Sequence, residues 1–350
     1  MVTFDLSDIE STALATDMGN ASLNWVEWVT DDRLLLSITT YVDYRSGKVI
    51  PRKDWGNPEK YIFPISVIRI VAMDRDGNNP VYMFGEDRSL NRNFYLGGVV
   101  SFLPQDPEHI LMAARRGGDL DLFKLSVTDG SSERIAEGTD NTYCWFVDRE
   151  GEPAFRYNTN NRGTVIYIYT REDRKNGKIK WRKTKTIRLN RNKQGDAATE
   201  FSPLSPGPED TTYYVAARPE GEDKTGIYLY DFENDEFLET VRVHERLDIE
   251  RGFFNRDTKE LQGVWYHDDE LVIEYADAKV QRHMDGLEKY FGKGINVVPM
   301  MSNRAGDVWL VRTYGPTDAG SYHIYDLNQT KARELGSNKT VFRSRVFGEA

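Results

Sequence analysis

The chain is poor in the residues that build covalent or metal-held frameworks. Its 350 residues include one cysteine and five histidines. A single thiol, Cys144, excludes an intrachain disulfide and any cysteine-rich metal site. It sits in the strand-like run Thr142-Tyr143-Cys144-Trp145-Phe146, so it reads as a buried core thiol. His109, His244, His267, His283 and His323 stand apart from one another, with no zinc-ligand spacing. His244-Glu245 opens like a metalloprotease motif, but position 248 is Asp and the context is strand to loop. No run approaches the ~20 apolar residues of a membrane helix. The start, Met1-Val2-Thr3-Phe4-Asp5, has neither a basic nor an apolar region, so no secretory leader is expected there. Basic charge is also short: 46 Lys and Arg against 56 Asp and Glu leave a net charge of −10. That balance disfavours non-specific nucleic-acid binding, which needs cations to neutralise phosphates. These absences predict no cofactor, no metal, no nucleic acid and no membrane among the partners.

Aromatic residues are abundant, at 12%, with 19 Tyr and 16 Phe. Aromatic side chains suit pleated, half-buried surfaces. A pattern of apolar strand, tight turn and second strand recurs at roughly fifty-residue spacing, in the range of propeller blades. Its copies include Ser66–Gly77, Leu120–Gly130, Val165–Tyr169, Gly226–Asp235 and Ser321–Gln329. Each follows a strand pair that turns on Gly, Pro, Asn or Asp, as in Trp28–Ile38, Phe102–Ala113, Phe146–Phe155, Leu204–Ala216 and Met301–Val311. Those residues reach turn dihedrals cheaply. A further copy reads as one strand over Phe254–Tyr266, a turn at His267–Glu270 and a return through Leu271–Tyr275. The period then changes to that of a short helix near 278–290, closed by Gly292. One blade cannot bury both of its faces, whereas stacked blades can. The expected fold is therefore an all-β propeller of six to eight four-stranded blades. It forms one domain over 1–350, with an incomplete first blade at 1–16 and a linker or closing strand at 337–350.

Certain strands carry a more specific pattern. Trp25-Val26-Glu27-Trp28-Val29-Thr30-Asp31-Asp32-Arg33-Leu34-Leu35 resembles the W-x-x-D-D-R-L-L strand of bacterial prolyl oligopeptidase-family serine peptidases. Lys259–Tyr266 looks like the stretch before their short helix. Gly315–Asp326, followed by Lys331–Gly336, resembles their D-x-x-P-G-x-Y-Y-L-Y-D strand, with Ala319 in place of Pro and His323 in place of Tyr or an apolar residue. The resemblance covers most of the chain, but its motifs are structural. It implies a propeller that precedes an α/β-hydrolase domain, covers the active site and limits which peptides enter. It also implies that the catalytic Ser, Asp and His belong to that other domain. Gly-x-Ser-x-Gly, the turn that exposes a serine nucleophile, is absent from the chain, so no catalytic residue is assigned. The chain stops near where such a domain would begin. The expected partners are thus a C-terminal hydrolase domain and a peptide substrate, with homo-oligomerisation and a periplasmic or cytoplasmic compartment left open.

Four residues are candidates for substrate binding. Arg115 and Arg116 end an apolar strand before Gly117-Gly118 and could hold a peptide carboxylate, which the guanidinium fork matches. Asp285 and Glu288 on the short helix could bind a peptide amino terminus. Other clusters read as structural: Asp268-Asp269-Glu270 as a hairpin turn, Asp119 and Asp121 as a solvated blade edge, and the basic run 171–193 as a long edge hairpin whose charges oppose aggregation. The sequons at Asn20, Asn328 and Asn338 are common chance matches. Two alternatives stand beside the gating reading. One is a free-standing propeller that binds a protein or peptide. The other is a channel enzyme, which needs carboxylates brought together from distant positions.

Overall fold

Short apolar runs that are buried on both faces set the architecture. In the run Leu34-Leu35-Leu36, side chains alternate between opposite faces of the strand, as the two-residue period requires. Leu35 joins one buried cluster with Ile70, Ala72, Met112 and Phe123, while Leu34 and Leu36 join another with Ile38, Val71 and Met73. Sheets covered on both sides read as continuous apolar strands.

The computed structural model describes residues 2–3, 14–46, 48–55, 57, 64–87, 89–90, 93–173, 179–189, 201–303, 305–316 and 319–337. A two-stranded ribbon, β1 (Val2–Thr3) with β2 (Leu14–Ala15), comes first. Blade one comprises β3 (Ser22–Trp28), β4 (Arg33–Asp43), β5 (Pro64–Asp74) and β6 (Val81–Tyr82). Blade two is β7 (Val99–Ser101), β8 (His109–Arg116), β9 (Asp119–Ser126) and β10 (Ser132–Ala136). Blade three is β11 (Thr142–Val147), β12 (Pro153–Thr159), β13 (Val165–Asp173) and β14 (Ile179–Arg188). Blade four is β15 (Phe201–Pro206), β16 (Thr212–Ala217), β17 (Gly226–Asp231) and β18 (Glu236–Arg242). Blade five has three strands, β19 (Arg251–Phe254), β20 (Leu261–His267) and β21 (Leu271–Tyr275), followed by helix α1 (Ala278–Phe291). Blade six is β22 (Asn296–Ser302), β23 (Val308–Tyr314), β24 (Ser321–Asp326) and β25 (Lys331–Ser337).

Each sheet is a meander of sequential antiparallel strands, and the fold is an all-β six-bladed propeller with one helix. The count settles at six, the lower end of the expected range. The chain divides into two compact units. The first holds Met1–Ala197, Pro206–Thr212 and Asp231–Glu236, and the second holds Ala198–Ser205, Tyr213–Tyr230 and Phe237–Ala350.

Three sequence expectations need correction here. The run Phe254–Tyr266 is not one strand. Asn255 accepts the backbone N–H groups of Asp257 and Thr258 at 2.8 and 2.9 Å, and Lys259 takes a φ of 61°, so the chain turns before β20. Asp121 is no solvated edge residue. It is 2% exposed, accepts the Gly138 N–H at 2.9 Å and pairs with Arg134 at 3.3 Å. Because β9 is an inner strand of its sheet, its alternate residues face the core, whatever their polarity. Cys144 is half-buried rather than fully enclosed, and burial holds its thiol above the usual range.

Helix α1 follows from local chemistry. The Asp277 side chain caps it, accepting from the N–H of Lys279 and Val280 at 2.6 and 3.0 Å, and those bonds hold its carboxyl below the ordinary range. Val280, Met284, Leu287 and Phe291 form one stripe that packs with Ile273, Val297 and Trp309 of the flanking sheets. Gly292, with a φ of 94°, ends it.

Candidate functional site

Arg115 and Arg116 close β8, and the β8–β9 hairpin turns on Gly117 and Gly118, whose φ values of 65° and 112° favour glycine. The two arginines differ in what they do. Arg115 Nη1 donates to the Gly118 carbonyl at 2.7 Å, and Nη2 donates to the Thr142 carbonyl at 3.4 Å. Its main-chain N–H and carbonyl are both bonded to the Asn93 amide, at 3.1 and 3.0 Å. Arg115 thus braces the turn against blade three. The Arg116 guanidinium is exposed and makes no hydrogen bond or ion pair among the described residues, while its main chain pairs with Asp119 across the hairpin. Its charge helps hold the Asp87 carboxyl low, after the stronger effect of the Ser89 hydroxyl.

Asp285 and Glu288 lie one turn apart on α1. Asp285 accepts from the Gln281 amide at 2.8 Å, and the Gln281 carbonyl oxygen accepts the Tyr275 N–H at 2.8 Å. Burial, and then the Asp285 charge, hold the Glu288 carboxyl above its ordinary range. Beside them the Tyr275 hydroxyl is buried with no hydrogen-bond partner among the described residues, and burial followed by the Glu288 and Asp285 charges pushes it far up. The pair is therefore an acidic spot over a buried phenol, with one carboxyl biased toward its neutral form. The arginines belong to the first unit and the carboxylates to the second.

Sequence reading named no metal ligand. Among the described residues, however, Asp148, Glu150 and Asp210 bring carboxylate oxygens within 4.8 Å of one another. Asp148 and Glu150 flank Arg149, whose Nε donates to the Gly207 carbonyl at 2.5 Å and ties this turn to the turn carrying Asp210. Burial pushes the Asp148 carboxyl up to about 6, with the charges of Glu150, Asp210 and Glu152 adding to the effect against a hydrogen bond from the Glu152 N–H. Three carboxylates so placed could share a divalent cation. They come from two separate turns, a juxtaposition that spacing along the chain does not reveal.

The remaining clusters have structural partners. On β14, the outer strand of blade three, Lys180 pairs with Glu172 and Lys185 with Asp235, at 3.3 and 2.7 Å, while Lys183 lies over the Tyr167 ring. Lys175, Lys178 and Arg191 of the basic run lie outside the described residues. Trp181 packs with Trp145 around Arg156, a buried guanidinium that donates to the Glu137 carbonyl at 2.9 Å. His244 accepts two backbone N–H groups within its own turn. His109 and His267 bond to Asp106 and Glu250, and His283 bonds to the Tyr325 hydroxyl.

No family model matches the sequence, and no curated protein matches it. Solved structures do share the fold. The chain is similar to prolyl oligopeptidase B from Galerina marginata, in complex with a 35mer hydrolysis and macrocyclization substrate, at 9% identity and a TM-score of 0.48 over 91% of this chain and 42% of that one. It is similar to a prolyl endopeptidase at 10% identity and 0.47, over 93% and 44%. It is also similar to an oligogalacturonate lyase in complex with manganese, at 11% identity and 0.46, over 92% and 86%. The chain spans less than half the length of the peptidases it matches.

Proposed function

We propose that the chain is the gating, substrate-selecting propeller of a serine peptidase, whose catalytic α/β-hydrolase domain lies outside the 350 residues. The observation that carries this reading is the pair of family-like strand motifs, Trp25–Leu35 and Gly315–Asp326, in a chain that lacks Gly-x-Ser-x-Gly. The first motif spans the β3–β4 turn, and the second ends in β24. In such a protein a propeller contributes access and orientation, not bond-breaking groups. Substrate-end recognition then falls to Arg116, since Arg115 is occupied by backbone carbonyls. Asp285 and Glu288 offer the negative charge that a peptide ammonium needs.

The test is covalent labelling with a fluorophosphonate, which reports an activated serine. The isolated chain should stay unlabelled and hydrolyse no peptide or ester. A polypeptide that carries the chain together with its hydrolase domain should label. Removing the propeller from that polypeptide should change which peptide lengths are cleaved. Stoichiometric labelling of the isolated chain would overturn the proposal.

A further inference from the structure

Helix α1 and the β24–β25 hairpin enclose a groove of about 770 Å³ that none of the readings above uses. The helix wall is the stripe Lys279, Arg282, Gly286 and Tyr290, adjacent to the buried stripe that anchors α1. The facing wall includes Tyr325 and Lys331. The volume lies within the range of small-molecule sites, which pair apolar walls with a few convergent polar groups.

Three features of this groove point to a ligand. The first is charge. Lys279, Arg282 and Lys331 are exposed and form no ion pair among the described residues, on a chain whose net charge is −10 and whose other cations repeatedly find carboxylates. Asp277 partly offsets Lys279 and Arg282, and Asp307 partly offsets Lys279, and the positive charge left around the concavity favours an anion. The second is aromatic surface. Tyr290 is 76% exposed, while the neighbouring Phe291 turns into the core. Across the groove, Tyr325 is a core residue, 3% exposed, whose hydroxyl and His283 Nδ1 share a hydrogen bond at 2.7 Å, so it backs the wall and leaves Tyr290 as the open aromatic surface. The third is Gly286. Glycine is a poor residue for the middle of a helix, and a Cβ built there would meet nothing within 4 Å. Among the described residues no contact accounts for the missing side chain. Its absence leaves the groove floor flat, so that a ring can approach the helix backbone.

We propose that this groove binds a small aryl anion, an aromatic ring bearing a carboxylate or a phosphate. The ring lies over Gly286 against Tyr290, whose open face packs favourably with another ring, while the buried Tyr325 backs the facing wall. The anionic group meets the Arg282 fork, assisted by Lys279 and Lys331. This assignment does not rest on the gating reading and holds for a free-standing propeller as well.

The test is calorimetric titration of the full chain with phenyl phosphate and with phenylacetate, beside inorganic phosphate and benzyl alcohol as probes of charge alone and ring alone. At least one aryl anion should bind about tenfold more tightly than either half-probe. The tighter of the two aryl anions identifies the headgroup. Arg282→Gln combined with Lys331→Gln should weaken that binding about tenfold or more. Gly286→Leu should abolish it without lowering thermal stability, because the added side chain projects into the groove, and Gly286→Ala should raise stability. The proposal is overturned if neither aryl anion saturates the protein below about 10 mM. It is also overturned if inorganic phosphate binds as tightly as the aryl anions, or if a correctly folded Gly286→Leu protein binds them unchanged.

Discussion

Replacing Asp148 by asparagine should stabilise the protein, and only above a defined pH. Asp148 lies in a turn of the first unit, partly buried beside Glu150, Asp210 and Glu152, and its carboxyl is pushed up to about 6. In the unfolded chain the same group titrates near the ordinary value of about 3.9. The folded state therefore binds the proton more tightly. The stability this provides is complete below about pH 4 and is lost as pH rises through about 6. Above that window the ionised carboxylate weakens the fold by at most about 3 kcal/mol, a figure that residual solvent access reduces to about 1–2 kcal/mol. Asparagine removes the charge yet keeps an oxygen to accept the Glu152 N–H, now bonded at 2.8 Å. Thermal unfolding of both proteins from pH 4 to pH 8, without divalent cations, measures the effect. The variant should melt at a higher temperature at pH 8, and the two should converge near pH 4. Equal stability at pH 8, or the same difference at both ends, would refute the reasoning.

Other substitutions test the packing account. Arg156→Ala removes a buried cation from between Trp145 and Trp181 and should destabilise by about 2–4 kcal/mol in urea unfolding, with changed tryptophan fluorescence. Gly151→Ala should destabilise by about 1–3 kcal/mol, since a Cβ there would meet the Leu103 side chain at 2.2 Å and the φ is 88°. Asp277→Ala removes the cap of α1 and should cost about 1 kcal/mol, seen as faster amide exchange at Lys279 and Val280. Asp121→Ala should destabilise by about 1–3 kcal/mol, because the Gly138 N–H loses its acceptor in a buried setting.

The repeat was legible because the signals of a blade are local. Turns such as Asp31-Asp32 and Gly117-Gly118 punctuate apolar runs, and the switch to helical spacing after Asp277 sits at a strong cap. The site was legible only in part. Arg115 and Arg116 are adjacent in sequence and alike in chemistry. Their different employment depends on where the Thr142 carbonyl and Asn93 lie, which only packing decides. The burial of Asp121 could not be told from an exposed edge without knowing which strand is interior. The carboxylates of Asp148 and Asp210 meet because two turns are pinned together by Arg149, and no spacing rule encodes that contact. The groove escaped notice because its charges are divided between a helix and a hairpin, each ordinary when taken alone.

The central claim is that this propeller serves a hydrolase domain outside it. Sequencing the gene past codon 350 tests it most directly. The account predicts an open frame of roughly another domain's length that encodes Gly-x-Ser-x-Gly followed by Asp and His. A stop codon immediately after the codon for Ala350 would contradict it and make a free-standing binding propeller the better account.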